Sequence, residues 1–179
     1  MVRLSGKTPD GIQADGCVTT ESGLACTIMV ADCLPVLLAD SRGRAVAAAH
    51  AGWRGLAGAD GAGVLEQTHA RLRLAAGEGG EVMAWLGPCI GPAAFEVGDD
   101  VREAFVSADV RAAQHFLARS TPGKFLCDLP AIARQRLARA GVTRVAASGA
   151  CTYSDATRFY SHRRDRVTGR MAAFVWLAP

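Results

Sequence analysis

No Cys-x-x-Cys pair occurs among the six cysteines, Cys17, Cys26, Cys33, Cys89, Cys127 and Cys151, and that excludes a zinc ribbon built on paired thiols. Scattered singly through 179 residues, half of them hydrophobic, they read as reduced thiols of one core-sized domain rather than a disulfide framework. No apolar run approaches the roughly 18 residues that a membrane-crossing helix needs. Met1 to Lys7 is not followed by an apolar stretch of the signal-peptide kind. The expectation is a single cytoplasmic domain over 1–179 with no membrane partner. Formal net charge is only +3, too small an excess to point to nucleic acid. No glycine-rich loop has Walker or dinucleotide spacing, so neither ATP nor NAD is indicated.

What is present is a mixture of strands and helices without regular alternation. Short apolar runs at 15–20, 24–30, 34–39 and 44–50 predict strands, with a turn at Ser41-Arg42-Gly43 between the last two. Gly52-Trp53-Arg54-Gly55 then breaks the strand. Residues 63–74 predict an amphipathic helix with Val64, Leu65, Thr68 and Leu72 on one side and His69 on the other. Residues 82–86 predict a strand running into a Gly/Pro-rich loop at 87–92. Residues 101–106 predict a helix. A second helix is predicted at 128–140, with Asp128 as N-cap, Pro130 in its first turn and Gly141 just past its end. Residues 142–147 and 171–177 predict strands. This pattern reads as α+β, not doubly wound.

Two chemistry-bearing residues stand in these apolar stretches. Cys33 falls near the start of one strand of the predicted hairpin and His50 near the end of the other, so the two can face each other across paired strands. A thiolate and an imidazole so placed bind zinc, or act as nucleophile and base. On residue type alone both also serve as ordinary core side chains. Arg54, in the Gly-bounded turn four residues after His50, suits bidentate phosphate binding, or is a surface arginine. The last segment gathers Arg158, His162, Arg163, Arg164, Arg166 and Arg170 around Phe159 and Tyr160. Such a mix suits a phosphate with a stacked purine, single-stranded nucleic acid, or a solvated loop. Arg163 and Arg164 are the members expected near a pocket. His69 and His115 read as surface residues, and Cys89 is not expected to be a ligand.

Four motifs together carry a resemblance. They are Ala31-Asp32-Cys33-Leu34-Pro35-Val36, His50-Ala51-Gly52-Trp53-Arg54-Gly55, and Leu86 through Pro92 with Phe95-Glu96-Val97-Gly98. The fourth runs from Cys151-Thr152-Tyr153 through Phe159-Tyr160-Ser161-His162-Arg163-Arg164-Asp165 to Thr168-Gly169-Arg170-Met171. In order and spacing they resemble the laccase-domain proteins, once called multicopper polyphenol oxidases, whose bacterial branch is also called peptidoglycan editing factor. The resemblance implies packed central β-sheets flanked by helices, in an α/β/β/α-like arrangement. It implies zinc-dependent purine nucleoside phosphorylase activity toward adenosine, inosine or methylthioadenosine, with adenosine deaminase side activity. Cys33 and His50 are the implied metal ligands, with zinc the expected metal and copper secondary. Arg54 is the implied catalytic and phosphate-binding residue, assisted by Arg163 and Arg164, and the partners are a purine nucleoside and phosphate.

The family's first zinc-ligand histidine lies in a Gln-x-His-Gly segment that precedes a stretch like Met1-Val2-Arg3-Leu4. The expectation is therefore that Met1 is a truncated start. Relative to the family, residues 58–62 also look like a short loop insertion. Two other readings stay open: a metal-free cysteine hydrolase with Cys33 as nucleophile and His50 as base, and a catalytically inert purine- or partner-binding module. Oxidation of phenols at a multicopper centre is disfavoured, because four histidines are too few for such a centre.

Overall fold

The computed structural model describes residues 1–9, 11–59 and 61–179. Asp10 in the predicted lead and Asp60 in the suspected insertion lie outside the described residues. At the centre stands the predicted hairpin, β4 (Leu34–Asp40) against β5 (Val46–Ala51), with Leu34 opposite Ala51, Pro35 opposite His50 and Ala39 opposite Val46. Around it lie β1 (Val2–Arg3), β2 (Gly16–Thr19), β6 (Val82–Leu86) and β10 (Arg144–Ala147). Together they make a six-stranded mixed sheet in the order β1-β2-β5-β4-β6-β10.

The sequence of β5, with three alanines and a valine before His50, follows from its position. Ala47, Ala49 and Ala51 are buried toward the helices, while Val46 and Ala48 are buried toward a second sheet. A strand covered on both faces loses the apolar/polar alternation of a half-exposed one. The second sheet pairs β3 (Cys26–Val30) with β11 (Met171–Val175), Val30 opposite Met171. Cys26, Ile28 and Val30 point inward, whereas Met29 and Phe174 are exposed on the outer face. The predicted strand 171–177 therefore ends two residues early, and Trp176 beyond it stacks on Phe174 at 5.7 Å between ring centroids.

On the other face of the large sheet lies α2 (Val64–Ala76), preceded by α1 (Trp53–Ala57) and followed by α3 (Asp99–Val106) and α4 (Leu129–Arg139). The fold is α+β, with packed central sheets and helices beside them, as expected. Val64, Leu65, Thr68 and Leu72 form the buried side of α2, as its periodicity predicts. A Cβ on Gly63 would overlap the Leu56 carbonyl, so only glycine lets the α2 start sit this close to α1. Glu66 accepts from the Gly63 N–H at 2.9 Å and pairs with the buried Arg136 of α4 at 2.7 Å, locking the two helices together. Asp128 caps α4 through the Ala131 N–H, with Pro130 in its first turn, and Gly141 beyond it has φ +85°.

Three expectations change. Residues 53–57 form a short helix, because Gly52 turns the chain out of β5 and its carbonyl accepts from Leu56 N at 2.8 Å. A small sheet of β7 (Glu96–Gly98), β9 (Lys124–Cys127) and β8 (Phe116–Ala118) escaped the sequence reading. His115 is not an isolated surface residue: its Nε2 lies 2.6 Å from Gln135 Oε1, and Gln135 donates to Asp109.

The turn after β4 carries a pH-dependent contribution to stability. The Arg44 guanidinium grips the buried Asp40 carboxylate at 2.8 and 3.0 Å and holds it at about 2, below its ordinary value. A depressed carboxyl stabilises fully above the ordinary carboxylate range and loses that contribution as pH falls through its folded value. Asp40→Asn is expected to cost about 2 kcal/mol at neutral pH. The difference between variant and parent should shrink between about pH 4 and pH 2, as read by urea unfolding at each pH.

Candidate active site

Cys33 closes the turn between β3 and β4, and His50 stands one residue before the end of β5, opposite Pro35. Side-chain alternation turns both toward the small sheet rather than toward α2. Both are half-buried. They converge over Gly52, where a Cβ would lie 3.1 Å from Cys33 Sγ and 3.7 Å from His50 Cε1. Asp15, which the sequence reading passed over, accepts from His50 twice. Its carbonyl takes the backbone N–H at 2.7 Å and its carboxylate lies 3.0 Å from Nδ1. That leaves Nε2 as the available ring nitrogen.

The adjacent Cys33 sulfur, with a smaller push from Asp15 and against the effect of burial, lifts the His50 imidazole to about 9. A thiolate donor and an imidazole steadied through Nδ1 by a carboxylate fit zinc's preferred chemistry and its usual supporting shell. Among the described residues no third His, Cys, Asp or Glu joins them into a metal-binding group.

Behind Cys33 stands Asp32, a buried residue with φ +91°, a conformation that costs a non-glycine residue about 1–3 kcal/mol. Its carboxylate accepts from Thr152 Oγ1 at 2.6 Å, Ser161 Oγ at 3.0 Å and Arg163 N at 2.7 Å. Its carbonyl accepts from Ile90 N at 2.9 Å, in the Gly/Pro-rich loop. Sequence reading missed this role, since only the pairing of distant polar residues reveals it.

The arginines divide by what they touch. Arg54 is exposed in the first turn of α1, with its guanidinium over the Trp53 ring at 4.4 Å, and it forms no salt bridge among the described residues. Arg163 donates to the Glu96 carbonyl at 2.8 Å and lies over the Phe95 ring at 5.5 Å. Arg164 donates to the carbonyls of Thr152, Tyr153 and Phe159 and pairs with Asp165, tying the C-terminal segment to itself. Cys89 is buried, and burial pushes its thiol up to about 12. Cys151 is half-buried. Burial raises its thiol, yet the Ser154 hydroxyl and the Gly91 and Ser154 N–H groups outweigh that and bring it below the ordinary value.

A cleft of 540 Å³ lined by Pro35, Leu37, Trp85, Arg158, Phe159 and Phe174 opens beside the site, sharing with it Pro35, the partner of His50, while Cys33, His50, Arg54, Arg163 and Arg164 are not among its lining residues. That volume and largely apolar lining are those of a small-molecule site. No described helix is long and apolar enough to cross a membrane.

The model of the family described as multi-copper polyphenol oxidoreductase laccase matches residues 2–178. The chain is 52% identical over 166 residues to a protein of Pseudomonas aeruginosa named purine nucleoside phosphorylase, covering 93% of this chain and 66% of that one. It is 46% identical over 177 residues to purine nucleoside phosphorylase YfiH of Escherichia coli, covering 99% and 69%. Among solved structures, a Neisseria meningitidis protein superposes with TM-score 0.86 at 46% identity, covering 100% of this chain and 71% of that one. YlmD of Geobacillus stearothermophilus does so with TM-score 0.74 at 31% identity, covering 93% and 62%. The chain thus spans about two thirds of the length of these relatives.

In the metal-free protein, His50 is expected to titrate near 9 by NMR. Because the sulfur is the largest cause, Cys33→Ala should bring the midpoint down further than Asp15→Asn does. An unshifted midpoint in Cys33→Ala would contradict the thiol–imidazole contact.

Proposed function

The chain belongs to the multi-copper polyphenol oxidoreductase laccase family, and on that footing we propose that it works as a zinc-dependent purine nucleoside phosphorylase with adenosine deamination as a side activity. Adenosine, inosine and methylthioadenosine are the proposed substrates. The observation that carries the reading is the convergence of Cys33 and His50 over Gly52, with Asp15 on Nδ1 and Arg54 at the start of the next helix.

Cys33 Sγ and His50 Nε2 would hold the zinc, which when bound supplies Lewis acidity to an oxygen of phosphate or water. Asp15 keeps the imidazole in one orientation and one tautomer. Arg54 offers phosphate two parallel N–H donors from a guanidinium whose close partner among the described residues is the Trp53 ring. Arg163 and Arg164 add positive charge along the wall that Asp32 seats. Phosphorolysis transfers the sugar from the base nitrogen to a phosphate oxygen, releasing the free base and a sugar 1-phosphate. The aromatic lining of the cleft suits the flat base, which stacks on Trp or Phe faces.

The convergence of Cys33 and His50 over Gly52 supports a second reading. A cysteine hydrolase with Cys33 as nucleophile and His50 as base would need only these two side chains and no metal. Chelation separates the two.

Zinc content and phosphate-dependent release of hypoxanthine from inosine test the proposal directly. Activity lost on chelation and restored by zinc is the expected result. Arg54→Ala is expected to raise the phosphate KM about tenfold or more, the scale of a lost charge-assisted contact, with the nucleoside KM nearly unchanged. Base release that needs no phosphate and survives chelation would overturn the proposal in favour of the cysteine hydrolase.

A further inference from the structure

We infer that the buried Asp32 carboxylate is the positioning residue of the Cys33–His50 site, setting the direction of the Cys33 thiol and seating the Arg163–Arg164 segment beside it. Its place in catalysis rests on the phosphorylase reading of that site.

The argument begins with adjacency. Asp32 shares a peptide bond with Cys33, so whatever holds the backbone of Asp32 at φ +91° also aims the Cα–Cβ bond of Cys33. A left-handed residue in a tight turn is ordinarily glycine, and aspartate here accepts the strain with its carboxylate fully engaged. Three donors hold it: the hydroxyls of Thr152 and Ser161, both fully buried, and the N–H of Arg163. The donors come from 120 to 131 residues further along the chain, so this carboxylate joins the metal-site turn to the C-terminal segment.

That segment is tied together by its own hydrogen bonds. Ser161 also caps α5 (His162–Asp165) by accepting from Arg164 N at 3.1 Å. Arg164 then gathers the carbonyls of Thr152, Tyr153 and Phe159. Releasing Asp32 frees the turn and the segment together. An anchor concerned only with stability has no need to stand next to the thiol. A carboxylate serving as positioning residue gains its effect from that place.

Asp32→Gly separates the two roles, since glycine adopts φ +91° without strain and removes only the carboxylate. Ser161→Ala and Thr152→Val each delete one donor and keep the turn intact, so they carry the comparison if Asp32→Gly fails to fold. Each variant is checked by thermal unfolding. The rate at which iodoacetamide alkylates Cys33 is followed by peptide mass spectrometry. Cobalt(II) affinity and its thiolate charge-transfer band are measured in the same proteins, and kcat and KM for inosine complete the set.

Folded Asp32→Gly is expected to change the Cys33 alkylation rate at least tenfold, weaken cobalt binding about tenfold and move the charge-transfer band. The fall in activity is expected in kcat, with KM for inosine changing less than threefold. The single-donor variants should shift in the same direction by less. Folded variants whose alkylation rate stays within twofold of the parent would overturn the inference and leave Asp32 as a fold anchor. Should the parent neither bind cobalt nor turn over inosine, the phosphorylase reading fails, and the alkylation rates alone still decide whether Asp32 positions Cys33.

Discussion

Four donors from two distant parts of the chain converge on Asp32: Ile90 from the Gly/Pro-rich loop, and Thr152, Ser161 and Arg163 from the C-terminal segment. Much of residues 148–170 forms neither strand nor long helix, and its backbone bonds to the sheet side lie at its start, where Ser148 donates to the Leu86 carbonyl and Cys151 forms a backbone bridge to Cys89. A buried carboxylate left without partners is costly, and so are buried hydroxyls without an acceptor. The arrangement is therefore close to all-or-none. It keeps the chain's most basic stretch against the turn that carries Cys33.

The site itself grows out of a sheet buried on both sides. Small side chains along β5 let α2 approach one face and β3 the other. His50 is the one polar side chain of that strand, at the end where the layers part. The imidazole thus keeps an open approach while Cys33 and Asp15 steady it from two sides. A side chain at Gly52 would crowd the Cys33 sulfur, 3.1 Å from where its Cβ would lie, and touch the His50 ring.

Counting arginines would suggest a broad basic surface, but hydrogen bonding divides them sharply. Arg136 is buried between helices on Glu66 and two carbonyls, and Arg164 is spent on the segment that carries it. Among the described residues, Arg54 meets only the Trp53 ring. A guanidinium whose donors already meet buried carbonyls cannot present the same planar fork to phosphate, so availability matters more here than local charge.

The hairpin of β4 and β5, the buried side of α2 and the capped start of α4 were legible in the sequence, because each rests on local signals: a turn, a period, and Asp128 followed by Pro130. The approach of Cys33 to His50 was legible for the same reason, since the hairpin register that puts Pro35 opposite His50 is a local property. The strand break at Gly52 was legible too, but the short helix that follows it at Trp53 was not, because five residues with Gly55 among them show no helical period. Nor was the small sheet of β7, β8 and β9, whose strands are too short to show a period. Sequence by itself thus determined the α+β class, the central hairpin and the thiol–imidazole pair. Only the tertiary structure decided that Asp15 orients His50, that Asp32 gathers the C-terminal segment, and which arginines stay available. The first two outcomes depend on contacts between residues 35 to 131 positions apart, and the third on how the C-terminal segment folds back on its own carbonyls, geometry that no local pattern encodes.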